Sequence, residues 1–332
     1  MRSGADRTTL AAFIAIVFLA GGNGVAVRFS NHELAPLWGA TLRFGIAAAV
    51  LFVMVALRRL PLPRGGALIG SVLYGLLAFA GTFGLLYWGL VKAGAGLGQI
   101  ILALVPLLTL LFAVVQGLER FRWQSLVGAV VASAGIGIIF GDQVRAAVPL
   151  ISMLAIVGAA ACMAESNVVI KRFPRAHPLA TNAVAMGVGA LVLLVATLFA
   201  GDPHPLPTQP QTWVAVGYVS LVGSVAVFSL FLYVIARWSA SASSYVMLLI
   251  PLLTVALGAA LDHEAVTGAY ILGGPLVLFG VYIGAFAPPV GRLLHLRTGR
   301  ARTSVPSSEA ITAPASDAGP PYAPGVGNPG CA

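Results

Sequence analysis

The sequence predicts an all-α integral membrane protein whose ten transmembrane helices form two inverted-topology five-helix repeats. Three observations predict it. First, only 9% of the 332 residues are charged and 59% are apolar, with a mean hydropathy of +0.95. About a quarter of a soluble domain's residues are charged, so this chain could not cover a water-facing surface. Second, ten apolar runs are long enough for a hydrocarbon core about 30 Å thick, which needs roughly 20 residues per helix. Third, PLLTLLFAVVQGLE, from Pro106 to Glu119, returns 145 residues later as PLLTVALGAALDHE, from Pro251 to Glu264.

Taken in order, the runs at 9–28, 36–57, 67–90, 96–117 and 123–141 make an N-terminal repeat over 1–141. A linker at 142–148 leads to the runs at 149–170, 178–200, 212–235, 242–261 and 266–286, a second repeat over 149–287. The first run is too long for a signal-peptide core and reads as a retained helix. GDPHPLPTQPQ, from Gly201, is a proline-rich surface loop. Residues 288–332 are low-complexity and proline-rich, a composition expected to be disordered.

Charge gives orientation. Fifteen of the nineteen Lys and Arg residues fall on one side of this ten-helix scheme, and only Arg28, Lys92 and Arg145 on the other. Arg43 lies inside a helix. The positive-inside rule then puts both termini in the cytoplasm, in a multi-pass protein of the plasma (inner) membrane. The net charge of +9 is spread in small groups between apolar runs, which is membrane topology and not a nucleic-acid face. Cys162 and Cys331 give neither a disulfide framework nor metal spacing, and no cofactor is expected.

The repeat extends beyond its opening motif. Lys92 pairs with Arg237, Gly128 with Gly273, Gly135 with Gly280 and Ile138 with Ile283 at the same offset of 145. Asn23 pairs with Asn167 and Arg28 with Arg172 at 144, and Pro36 with Pro178 at 142. Five helices per unit is an odd number, so the second unit enters the membrane from the opposite side. Many secondary transporters are built this way, with sites near the midplane between repeats. Pro106 and Pro251 each remove an N–H and crowd the carbonyl four residues back, so each is expected to bend its helix. At mirrored depths they could narrow the two mouths of one path in turn, or simply shape packing. Glu119 and Glu264 precede the next helix, where a carboxylate favours the N-terminus by about 0.3–1 kcal/mol.

PLLTLLFAVVQGLERFRWQSLVGAVVASAGIGIIF resembles the second part of an EamA-type repeat of the drug/metabolite transporter superfamily. GGNGVAVRF and PLWGATLRFGIAAAV resemble the start of such a repeat, with Asn23, Arg28, Arg43 and Phe44 in place. The resemblance covers both repeats and implies ten helices in two inverted units, and most often export of small metabolites such as amino acids. The sequence departs from the family pattern where Ile250 precedes Pro251, where Asp262 and His263 precede Glu264, and where Glu165 stands near Asn167.

Several side chains are candidates for a substrate path. Arg43 lies seven residues into its helix, about 10 Å deep at 1.5 Å per residue. It either faces a path, where it could bind a carboxylate bidentately, or snorkels to the headgroups. Glu165, an acid well inside an apolar run, either carries a coupling proton or pairs with Arg172 or Arg175. Asn23 and Asn167 could bond substrate or act as interhelical glue. Tyr74, Gly81 and Trp88 recur every seven residues, placing them on one helix face. Tyr233, Tyr245 and Gln99 are further path candidates, against an interfacial-belt reading for the aromatics. Gly280 with Gly284, and Ser133 with Gly137, are small-residue faces for close packing inside the chain or in a homodimer.

The expected function is a secondary transporter exporting a small metabolite by alternating access, coupled to protons; the alternative is an uptake permease or uniporter. A channel would want a continuous polar ring, and no Walker A stretch is present for ATP. A membrane-embedded enzyme would want clustered acids or a positioned base, but the acids are scattered and all five histidines lie in loops or the tail. A silent scaffold is the remaining rival. The expected partners are a small-molecule substrate and anionic headgroups near Arg292 to Arg302.

Overall fold

A computed structural model describes residues 7–93, 95–143, 148–201, 203–261 and 268–286. Glu264, Asp262, His263, Arg145 and the tail at 288–332 lie outside the described residues, as do the side chains of Arg28 and a few others. Ten helical spans are present among the described residues, eight of them continuous enough and apolar enough to cross a membrane by length and composition. They are α1 (Arg7–Gly21 and Asn23–Ser30), α2 (Pro36–Leu57), α3 (Gly66–Leu90), α4 (Ala95–Leu102 and Val105–Val115) and α5 (Trp123–Phe140). The second set is α6 (Leu150–Arg172), α7 (Pro178–Ala200), α8 (Pro210–Ile235), α9 (Ala240–Ser244 and Val246–Leu261) and α10 (Gly268–Phe286). Proline starts α2, α7 and α8, where its missing N–H costs nothing and its fixed φ suits the first turn. Gly201, at φ 68°, closes α7.

The two halves meet through equivalent helices. α2 packs on α7, and α5 on α10. The second contact is nearly backbone on backbone: a Cβ at Gly128 would stand 2.6 Å from the Gly280 carbonyl oxygen, and one at Gly273 would stand 2.5 Å from that of Gly135. The small-residue face of α10 is thus used inside the chain, and its partner on α5 is Gly128, Ala132 and Gly135. Ser133 and Gly137 are not part of it. Ser133 donates to the Ala103 carbonyl, 2.8 Å away, and Gly137 faces open space.

Six helices depart from regular α geometry, α10 by ending in π-helix at Tyr282–Phe286, and side chains satisfy carbonyls this frees, as a lipid environment demands. α1 is interrupted at Gly22; Tyr218 of α8 donates to the Leu19 carbonyl at 2.9 Å, and Thr254 of α9 to that of Gly21 at 2.9 Å. α4 is interrupted at Ala103–Leu104 and α9 at Tyr245. In α3 and α8 the backbone instead widens into π-helix, at Gly75–Gly81 and Leu221–Ala226, positions matched at the repeat's offset. Thr82 and Ser224 each donate to the carbonyl five residues back, both at 2.8 Å.

The proline expectation needs correcting. Pro106 sits in the first turn after the break in α4, whereas Pro251 lies within the continuous second segment of α9, six residues past the break at Tyr245. The interruptions are not at mirrored depths, because at α9 the backbone leaves the helix in a serine-rich turn where Ser243 and Ser244 hydroxyls bond the Ser239 and Ser241 carbonyls. Glu119 also differs from expectation. Its carboxylate accepts from the backbone N–H and the hydroxyl of Ser241, so it caps α9 of the other repeat and not the helix that follows it.

At the opposite end of the bundle, Glu33 ties the loop before α2 to the loop before α8, accepting from the Thr208 hydroxyl and from the Thr208 and Gln209 N–H groups. Trp38 adds a bond to the Pro205 carbonyl at 2.8 Å. The Thr208 hydroxyl, foremost, holds the Glu33 carboxyl below the ordinary glutamate range. A lowered folded-state pKa means this clasp contributes fully above the ordinary glutamate pKa and is lost as pH falls through the lowered value. Thermal unfolding should therefore show a drop at acidic pH that Glu33→Gln removes. An unchanged acid slope in that variant would place the pH dependence elsewhere.

Candidate functional site

A buried polar cluster forms where α1, α2 and α8 meet. Arg43 projects from α2 and is only 5% exposed, so it does not snorkel. Its Nε–H donates to Ser224 Oγ at 2.8 Å, and a terminal N–H donates to the Gly223 carbonyl at 3.0 Å. Both acceptors belong to the π-helical turn of α8, which is what turns the Gly223 carbonyl out of the helix ladder. Asn23, the first residue after the interruption of α1, lies against Gly223 where any Cβ would collide with its amide. Its Oδ1 is buried with no hydrogen-bond partner.

Aromatic rings wall the guanidinium. Its carbon lies 5.1 Å from the Phe44 centroid and 5.4 Å from that of Phe83, distances at which the ring faces stabilise a cation. Phe83 meets Tyr87, whose hydroxyl stands beside Arg43. Below them Phe44, Phe79 and Phe228 form edge-to-face contacts at 5.0 and 4.8 Å, joining α2, α3 and α8. No carboxylate among the described residues pairs with Arg43. Two of the five guanidinium donors are bonded to α8, and the charge is offset by dipoles and ring faces alone. Such an arrangement can accept an anionic group.

Glu165 belongs to a second cluster. Both its carboxylate oxygens accept from the amide of Gln116, the residue that follows α4, at 2.9 and 2.8 Å. Arg172 contacts the other end of that amide, at 3.5 Å, and Arg175 contacts neither. The direct pairing with Arg172 or Arg175 is therefore replaced by a bridge through Gln116. Asn167 lies buried in α6, which runs unbroken where its repeat partner α1 is interrupted.

The remaining candidates separate. Tyr74 is 1% exposed and packs edge-on against Phe79, while Trp88 is 50% exposed. They do not share a face, because the π-helical turns between them rotate the register that a regular helix would keep. Tyr245 is buried and donates to the Ser125 carbonyl at 2.6 Å, tying α9 to α5 instead of lining a path. Tyr233 carries the Arg237 guanidinium 3.5 Å above its ring. Gln99 is half-buried in the first segment of α4.

The sequence reading missed Ser224, Gly223, Tyr87 and Gln116. Ser224 and Gln116 carried a faint signal as polar residues in apolar runs, but only the fold tells which neighbours they meet.

Residues 7–141 and 150–285 each match the model of the EamA-like transporter family. The chain belongs to this family. Its members are transporters and not enzymes, so a small-molecule substrate follows. Among relatives, the chain is 25% identical over 294 residues to the uncharacterized inner membrane transporter YedA of Escherichia coli (strain K12), covering 86% of this chain and 95% of YedA. It is 25% identical over 280 residues to the uncharacterized transporter YoaV of Bacillus subtilis (strain 168), covering 82% and 95%. A probable amino-acid metabolite efflux pump of Escherichia coli (strain K12) is 24% identical over 283 residues, covering 82% and 92%. A solved crystal structure superposes with a TM-score of 0.71 at 20% identity over 84% of this chain and 97% of that one, a likeness of fold.

Proposed function

We propose that this EamA-family transporter exports a small carboxylate-bearing metabolite, amino-acid-like in size, by alternating access with both termini in the cytoplasm. The observation that carries the reading is Arg43: a guanidinium deep in the bundle, held in place by Gly223 and Ser224, with no carboxylate of the described residues against it. Keeping an arginine at such depth costs about 2.5–3.5 kcal/mol on insertion scales, and intramembrane charges characteristically mark substrate pathways. A substrate carboxylate supplies the counter-charge, and the rings of Phe83 and Tyr87 offer a wall for its carbon skeleton. Two relatives described as probable amino-acid metabolite efflux pumps support the size and direction. Glu165 is the proton-coupling candidate, because it lies within a span and has an amide, not a cation, as its partner.

Overproducing the intact protein and the Arg43→Gln variant at equal membrane abundance, and comparing the growth media by untargeted mass spectrometry, tests this. A carboxylate enriched only with the intact protein is the expected result. Enrichment of an uncharged or cationic compound in both cultures would remove Arg43 from the substrate path.

A further inference from the structure

A cavity distinct from the Arg43 cluster opens where the ends of α3, α6, α7 and α8 meet. Its volume is about 270 Å³. Lys171, Arg175 and Arg237 line it, with Ser71, Thr181 and Tyr233, and no acidic residue is among its lining. We infer that this cavity is a binding site for a phosphate-type anionic headgroup.

Charge, geometry and size converge on that chemistry. Arg237 is fixed in advance: its guanidinium lies over the Tyr233 ring, 3.5 Å from the centroid, and one N–H donates to the Tyr233 carbonyl at 3.1 Å, so the rest of its donor fork is presented without further ordering. Lys171 is anchored by a bond to the Trp238 carbonyl, with Glu119 behind it outside the lining. Arg175 is exposed and pairs with no carboxylate among the described residues. The first turn of α7, at Pro178 and Thr181, also borders the cavity and adds the positive end of a 23-residue helix. Arginine forks match the oxygens of phosphate bidentately, which favours phosphate over a simple halide.

The remaining walls are apolar, from Ile170, Phe173 and Leu232. An anion with a short carbon skeleton therefore fits better than bare phosphate. The volume falls just below the range of about 300–1,000 Å³ usual for whole small-molecule ligands, so a headgroup fits and a complete lipid does not. A phospholipid at the boundary and a soluble phosphorylated metabolite present the same chemistry. No residue of the Arg43 cluster lines this cavity, so the inference does not depend on the function proposed above.

The test is binding to the full-length protein purified in a neutral detergent. Titrants are dihexanoyl phosphatidylglycerol, glycerol 3-phosphate and, as the zwitterionic control, dihexanoyl phosphatidylcholine. Phosphatidylglycerol should bind, and the R175Q/R237Q variant should weaken it roughly tenfold or more, as expected for losing charge-assisted bonds. Arg175→Gln alone, at an exposed position, should weaken it less, and R175K/R237K should restore part of the affinity. Binding of phosphatidylglycerol without glycerol 3-phosphate assigns the site to lipid; comparable binding of both assigns it to soluble phosphorylated anions. Equal affinity in wild type and R175Q/R237Q, or equal binding of phosphatidylcholine, overturns the proposal. So does loss of headgroup binding in Arg43→Gln, since the two sites are argued to be separate.

Discussion

Gly280→Leu should destabilise this protein by more than about 3 kcal/mol, the upper end of ordinary overpacking costs. A Cβ at Gly280 would lie 2.6 Å from the Gly128 carbonyl oxygen and 2.5 Å from the Ala132 N, and these are backbone atoms that no side-chain rotation can move aside. The opposing face is equally tight, with a Cβ at Gly135 standing 2.8 Å from the Gly273 carbonyl oxygen. Relief would require α5 and α10 to separate along the contact that joins the two repeats. The sign is informative. In a helix interior, replacing Gly by Ala gains about 0.8–1 kcal/mol from backbone propensity in water. Gly137→Ala, on the same α5 with open space at its Cβ, should therefore be neutral or stabilising, while Gly280→Ala should already cost stability. Thermal unfolding in detergent compares all three. Equal midpoints for Gly280→Ala and Gly137→Ala would mean that the interface has room to relax.

The same pair of helices shows how much could be read from sequence. Gly128 with Gly273 and Gly135 with Gly280 stood out at the offset of 145, because a backbone approach tolerates nothing larger than glycine and so leaves a mark on composition. Helix count survived for a related reason: a hydrocarbon core sets both the length and the polarity of each span. The interior of the helices was another matter. Counting sevens groups Trp88 with Tyr74, and counting assumes one uninterrupted helix. The π-helical stretch at Gly75–Gly81 widens the turn while leaving the residues apolar, so hydropathy records nothing of it. Likewise Pro106 and Pro251 occupy identical motifs, yet the breaks in α4 and α9 fall at different distances from them. Residues further along each helix, and neighbours that accept the freed bonds, decide where the backbone yields.

The symmetry of the repeat also hides what is asymmetric about the candidate site. Gly75 of α3 packs directly on the backbone of Ala185 in α7, and its counterpart in the other half is the approach of α8 to Arg43 in α2. Where one half closes with alanine, the other admits a guanidinium. Ser224 occupies the place of Phe79 at the offset of 145, which turns an aromatic core contact into a hydrogen-bond acceptor. Two substitutions thus convert one of two equivalent helix crossings from packing into a charged site.

That conversion predicts which replacements of Arg43 matter. In counterflow by proteoliposomes, Arg43→Gln should reduce transport by roughly 10- to 150-fold, the range expected from losing one hydrogen bond of 1.5–3 kcal/mol to a charged group. Arg43→Lys keeps the charge but should recover only part of the activity. An ammonium has three N–H donors where the guanidinium has five, so holding Ser224 Oγ and the Gly223 carbonyl leaves it only one for a substrate, without the planar fork that a carboxylate matches. Ser224→Ala leaves the charge and removes one of its two anchors, so it should raise the concentration of half-maximal transport more than it lowers the limiting rate. Thermal midpoints measured alongside separate a lost substrate contact from a lost fold. If Arg43 is a structural strut, Gln should lower the midpoint and transport together, and Ser224→Ala should follow the same line. If it is the substrate's counter-charge, Gln should leave the midpoint unchanged or raise it, because a buried charge without a carboxylate partner has been removed, while transport falls. Wild-type counterflow in Arg43→Gln would sink the substrate role outright.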